Sequence, residues 1–169
     1  MSATTGPTVP ARRNVVRREP DAIDRRLLEL LRDDARIPNA RLADEVGLAP
    51  STCLARVRAL VDSGVIAGFH AQLDPRALGL ALEALISVNI RSGARQTIAH
   101  FAEEMRELPE VQQVWFLGGA EDFILDVATR DSDHLREFVV ANLSAHPAVA
   151  STRTSVVFEH TAPGLRLAP

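Results

Sequence analysis

The chain has 169 residues, of which 46% are hydrophobic and 24% charged, with a net charge of −3. These values suit one ordinary domain or two small ones and exclude wholesale disorder. No apolar run reaches the ~20 residues of a membrane span. The arginines near the N-terminus lead into no apolar stretch, so no secretory signal is read, and a cytoplasmic protein is expected. A single cysteine, Cys53, excludes an internal disulfide. The five histidines form no HxxxH or HExxH pair, so no metal site and no cofactor is expected. All 19 basic residues are arginine, and the charge is uneven: net +1 through residue 75 and −4 after it.

Residues 1–20 are rich in Ser, Thr, Pro and Arg without periodicity and read as a flexible tail. Its arginines are either solvated or placed to touch DNA phosphates. Residues 21–34 read as a helix. Asp21 is a candidate N-cap with Asp24 in the first turn, and Ile23, Leu27, Leu30 and Leu31 form one apolar face. Pro38 breaks the pattern. Asn39 then reads as the cap of a short helix carrying Leu42, Ala43 and Val46, which Gly47 ends. Pro50 opens the next helix, which runs to about residue 62, and Gly64 ends it. Two helices joined by a short turn, behind a supporting helix, form the helix-turn-helix pattern.

Residues 65–73 look like a strand, with Phe69, Ala71 and Leu73 alternating against His70 and Gln72. Residues 76–81 read as a linker. The second half then reads strand 83–91, helix 94–108, strand 111–117, strand 122–129, helix 132–145 and strand 149–158. This is the ferredoxin-like βαββαβ order. Val114, Trp115, Phe116 and Leu117 are consecutive apolar residues, so both faces of that strand want cover. Two helices cover one face of a four-stranded sheet; the other face predicts self-association, the alternative being cover by a long loop or by the N-terminal domain.

On the helix 50–62, Cys53, Leu54, Val57, Leu60 and Val61 are expected to face the core. Thr52, Ala55, Arg56 and Ala59 then point outward, with Ser51 in the exposed first turn. A helix with this face fits the major groove, where an arginine reads guanine. Arg56 is the expected base or phosphate contact. Arg58, nearer the core flank, is the expected phosphate contact or partner of an acid. Cys53 has two readings, a redox sensor or a small buried hydrophobe, and its place on the apolar face favours the second. In the stretch 118–123, Gly118 and Gly119 let backbone N–H groups approach a carboxylate closely. Asp122 has two readings: acceptor for an ammonium, or a turn residue bonding its own backbone.

In order and spacing the chain resembles the Lrp/AsnC (leucine-responsive, feast/famine) transcription regulators. The resemblance rests on Asp24-Arg25-Arg26-Leu27-Leu28, Leu42 to Leu48 leading into Pro50 to Leu54, Arg56-Val57-Arg58, and Gly64-Val65-Ile66 with Phe69. It continues through Leu73-Asp74-Pro75, Leu78-Gly79, Glu110-Val111 and the Gly119-x-x-Asp122-Phe123 stretch. It implies an α+β protein: an N-terminal winged helix-turn-helix domain followed by a ferredoxin-like effector-binding domain. The divisions expected are a tail over 1–20, a DNA-binding domain over 21–64, a strand and linker over 65–81, an effector and oligomerisation domain over 82–160, and a tail over 161–169.

The implied function is a sequence-specific regulator, not an enzyme. It would bind double-stranded DNA through Ser51, Thr52, Ala55, Arg56 and Arg58. A small effector, an amino acid, would bind near Gly118, Gly119, Asp122 and Phe123. The resemblance further implies a homodimer that associates into a higher oligomer such as an octamer, with no membrane partner. An architectural DNA-binding protein, or a ferredoxin-like allosteric subunit of an amino-acid enzyme, are the competing readings. The sequence departs from the family at Ala49, where a capping Ser is common, at Ala55 and Ala59, where bases are common, and at Gly118, where Thr is common.

Overall fold

The computed structural model describes residues 19–161. Most of both expected tails therefore lies outside the described residues. The chain forms two compact units, one ending at Ala71 and the other beginning at Gln72.

The first unit holds three helices, α1 (Ala22–Asp33), α2 (Asn39–Glu45) and α3 (Pro50–Asp62). Asp21 caps α1 in a full capping box. Its carboxylate accepts the Asp24 N–H at 2.8 Å, and the Asp24 carboxylate accepts the Asp21 N–H at 3.3 Å. The helices enclose Leu27, Leu31, Leu42, Ala43, Cys53 and Leu60. Gly47, at φ 67°, makes the left-handed turn after α2, where a side chain would be strained.

Two expectations are corrected here. Asn39 is not the cap of α2. Pro38 holds that position, and the Asn39 amide instead donates to the Pro50 carbonyl at 2.9 Å, strapping the start of α2 to the start of α3. The segment 65–73 forms no strand, since no ladder pairs with it among the described residues. Alternation shows which residues suit a strand; it does not supply the neighbour that a ladder requires.

The second unit is a four-stranded antiparallel sheet of β1 (Leu82–Ile90), β2 (Val111–Phe116), β3 (Phe123–Thr129) and β4 (Val149–Val157) in the order β2-β3-β1-β4. Helices α4 (Ile98–Arg106) and α5 (Ser132–Phe138) connect the strands as the βαββαβ order requires. The helix expected over 94–108 begins later, because Ser92–Thr97 forms a 3-10 turn first. Beyond α5 the coil widens to π geometry over Val139–Ser144.

Ala84, Ile86, Val88 and Ile90 of β1 and Phe123, Leu125 and Val127 of β3 point to the helix side. There they pack with Phe101, Met105, Leu135, Phe138 and Leu143. The opposite face shows Leu85, Trp115 and Ile124. Leu85 is 36% and Trp115 39% exposed, so apolar side chains stand open on the second face, beside the polar Ser87, Asn89, Ser151, Arg153 and Ser155.

Candidate functional site

Two groups of residues were expected to bind partners. On α3, Cys53 and Leu60 are buried against α1 and α2, while Ser51, Thr52, Ala55, Arg58 and Ala59 are exposed. Ala49 provides no side-chain cap, so the first N–H groups of α3 lack the bond that a Ser would supply. Four of the five expected DNA-binding residues, Ser51, Thr52, Ala55 and Arg58, thus share the outer surface of the second helix of the motif.

Arg56 does not join them. Its Nη1 donates to Asp21 Oδ2 and Asp24 Oδ1, both at 2.8 Å, and Asp24 is almost fully buried. These bonds, the one to Asp21 first, hold the guanidinium's pKa above its ordinary value. The expected orientation assumed that Leu54 and Val61 were in the core. They are 38% and 41% exposed, so the buried stripe of α3 is narrower and centred on Cys53, Val57 and Leu60. At ~100° per residue that centre brings Arg56 to the flank against α1 and turns Arg58 outward. The two arginines exchange the places expected of them.

Arg41 was not anticipated as a site residue. It is exposed on α2, two residues after the Asn39 amide that bonds Pro50. Its signal in the sequence was present: a lone base on the polar side of a short helix at the start of the motif.

The expected effector loop joins β2 to β3. The Leu117 N–H donates to the Asp122 carbonyl at 2.8 Å, and the Asp122 N–H to the Val88 carbonyl at 3.1 Å. Asp122 Oδ2 accepts the Ile90 N–H at 2.8 Å, so this carboxylate ties the start of β3 to the end of β1. Of the two sequence readings for Asp122, the structure shows backbone bonding, and to a neighbouring strand instead of its own turn.

Gly118 and Gly119 are exposed and have negative φ. A Cβ at either would meet no atom within 4 Å. Neither turn strain nor crowding within the chain therefore requires glycine there. The Phe123 side chain is fully buried, its ring 5.1 Å from Phe101 and 5.2 Å from Phe116. It belongs to the core beneath the loop, so that of the four expected effector residues Gly118 and Gly119 are exposed and Asp122 is half-buried.

Cavities among the described residues lie elsewhere. One of about 740 Å³ is lined by Asp74, Arg76, Glu83, Glu159 and His160, among others. Another, of about 480 Å³, is bordered by Leu28, Leu31, Val65, Ile66 and Phe69. Cys53 is buried, which pushes its thiol pKa up and keeps it protonated. Among the described residues no group of three or more His, Cys, Asp or Glu is arranged to hold a metal. No described helix is long and apolar enough to cross a membrane.

Residues 83–166 match the Lrp/AsnC ligand binding domain, and residues 20–67 match the winged helix-turn-helix DNA-binding domain. The chain is 57% identical over 142 residues to the HTH-type transcriptional regulator AldR of Mycobacterium tuberculosis, covering 84% of this chain and 79% of that one. It is 53% identical over 160 residues to AldR of Mycolicibacterium smegmatis, covering 94% of each. Among solved structures it is similar to a transcriptional regulator of Neisseria meningitidis in complex with L-Met. The TM-score is 0.77 at 33% identity, covering 83% of this chain and 93% of that one.

Proposed function

The chain belongs to the Lrp/AsnC family of transcription regulators, and from that premise we propose that it is an amino-acid-responsive repressor or activator acting as a homo-oligomer, without catalytic activity. Residues 21–64 form the DNA-binding domain in this reading, 65–81 the linker and 82–160 the effector and oligomerisation domain. The observation that carries the DNA-binding half is the exposed surface of α3. Ser51, Thr52, Ala55 and Arg58 stand together on a helix whose other side is anchored in the core. Small side chains let the helix enter the major groove closely, and Arg58 supplies the fork that reads guanine or grips phosphate. Arg41 supplies a second phosphate contact beside the start of α3.

The effector half rests on the open loop. Gly118 and Gly119 face empty space that no contact within the chain explains, and their backbone N–H groups suit a carboxylate. Asp122 carries a negative charge beside them for the ammonium, steadied by its bond from Ile90. The Neisseria relative, solved with L-Met, supports a free amino acid as the ligand class. Self-association follows from the Leu85–Trp115–Ile124 face of the sheet, which a second copy would cover.

Selection of genomic fragments by the full chain, followed by fluorescence anisotropy on the enriched sequence, tests the reading. Specific binding should exceed binding to scrambled DNA by ~10³-fold or more and weaken steeply with salt. Equal binding to both sequences would favour an architectural protein.

A further inference from the structure

Asp126 lies at the centre of β3, on the sheet face turned away from the helices. Its cross-strand neighbours are Leu85 of β1 and Gln113 of β2. It is 8% exposed, and its Oδ1 accepts no hydrogen bond among the described residues. Such an oxygen is rare, because an ionised carboxylate surrenders hydration on burial and here receives no donor at that atom in return.

The charged groups around it do not provide the missing donor. On β1, Glu83 stands one same-face position beyond Leu85 and has the same sign. The outward residues of β2, Gln113 and Trp115, do not titrate. On β4, Arg153 lies across Ser87, is 75% exposed and reaches Glu121 at 3.7 Å. Beyond β4, His160 shares with Glu83 the cavity that Asp74, Arg76 and Glu159 also line. Burial, and then Glu83, push the Asp126 carboxyl above the usual carboxylate range, and His160 pulls it partly back.

Beside this carboxylate lies a small apolar patch on a face that is otherwise polar, with Gln113, Ser87, Ser151 and Ser155 around it. Trp115 pairs directly with Ile124, and Leu85 lies opposite Asp126 itself. Acid (Glu83) and base (Arg153) stand on separate strands of the same face, a distribution that a two-fold-related copy matches with itself. We propose that Asp126 makes self-association through this face proton-dependent, with a second copy of the chain as the occupant. A neutral carboxyl can be enclosed between two sheets; an ionised one without a donor cannot. This rests on the pairing of sheets put forward above.

The sign follows from linkage. A group that is easier to bury when protonated takes up a proton on association, so the complex is tight at low pH and loosens as pH rises through the carboxyl's range.

Sedimentation of the full chain between pH 5 and 8 tests this with wild type, Asp126→Asn and Glu83→Gln. The wild-type dissociation constant should rise by up to ~10-fold per pH unit for each proton released on dissociation. Asp126→Asn should associate tightly at every pH, and any dependence left in it belongs to other groups. Glu83→Gln should move the wild-type transition to lower pH, because a like charge is removed. A wild-type dimer indifferent to pH overturns the proposal. So does an Asp126→Asn dimer weaker than wild type throughout, which would mean that the carboxylate has found a cation on the second copy. Both of those results leave the pairing of sheets intact. A monomer at every pH overturns both.

Discussion

The guanidinium of Arg56 donates to the buried carboxylate of Asp24 at 2.8 Å, joining α3 to the first turn of α1. Asp24 also closes the capping box with Asp21, and Asp21 accepts from the same guanidinium nitrogen. One arginine thus orders a helix start and fixes the angle at which α3 is presented. Arg56→Ala should therefore lower the melting temperature of the N-terminal unit, and its effect on DNA binding should follow from that loss of order. Circular dichroism melts of the variant check this; an unchanged melt would contradict it.

Arg58 should behave in the opposite way. It is exposed on α3, and its removal disturbs no packing. Arg58→Ala should keep the wild-type melt and weaken specific DNA binding by ~1–3 kcal/mol if it reads a base. If it grips phosphate, the slope of log K against log salt should fall by about one. Anisotropy titrations at several salt concentrations separate the two.

The loop glycines differ from the turn glycine in a way that calorimetry can see. Gly119→Ala places a methyl group in open space at negative φ and should change stability by less than ~0.5 kcal/mol. Gly47→Ala forces a side chain into φ 67° and should cost ~1–2 kcal/mol. If Gly119→Ala nevertheless abolishes amino-acid binding, the backbone there approaches the ligand closely.

Asp122 needs two substitutions. Asp122→Ala removes the acceptor of the Ile90 N–H and should cost ~1–3 kcal/mol of stability besides any loss of ligand. Asp122→Asn retains an oxygen for that bond and deletes only the charge. It should keep the melt near wild type and lower amino-acid affinity ~10-fold or more, consistent with a lost charged hydrogen bond. Calorimetry on both variants tests whether the carboxylate meets the ammonium.

The single tryptophan reports on assembly directly. Trp115 is 39% exposed on the face where a second copy is proposed. Its emission should shift to the blue as the protein is concentrated. Trp115→Glu should weaken association by burying an unpaired charge. Emission independent of concentration, with a dimer present, would put the interface elsewhere.

The helices of the first unit were legible because each carries its own punctuation: Asp21 and Asp24 at one start, Pro50 at another, and glycines where left-handed turns follow. The βαββαβ succession of the second unit was legible from the alternation of β1 and the two helical stretches. Less could be read where a residue's role depends on a partner distant in sequence. Asn39 has the chemistry of a cap, yet it bonds a carbonyl eleven residues away. Residues 65–73 alternate as a strand does, but no ladder within the described residues receives them. Arg56 and Arg58 changed places because the apolar stripe of α3 includes two residues, Leu54 and Val61, that stay largely exposed. The periodicity gives the width of a stripe; only the packing of α1 against it gives the centre.

DNA binding through α3 is expected to respond to an amino acid bound by the second unit. Anisotropy of the selected operator, titrated with the full chain alone and with each of the twenty amino acids in turn, tests it most directly. At least one amino acid should change operator affinity by ~5-fold or more, the scale of an ordinary coupling between sites. Asp122→Asn should lose that response while binding the operator as wild type does without ligand. An operator affinity that no amino acid changes would contradict regulation by an amino acid.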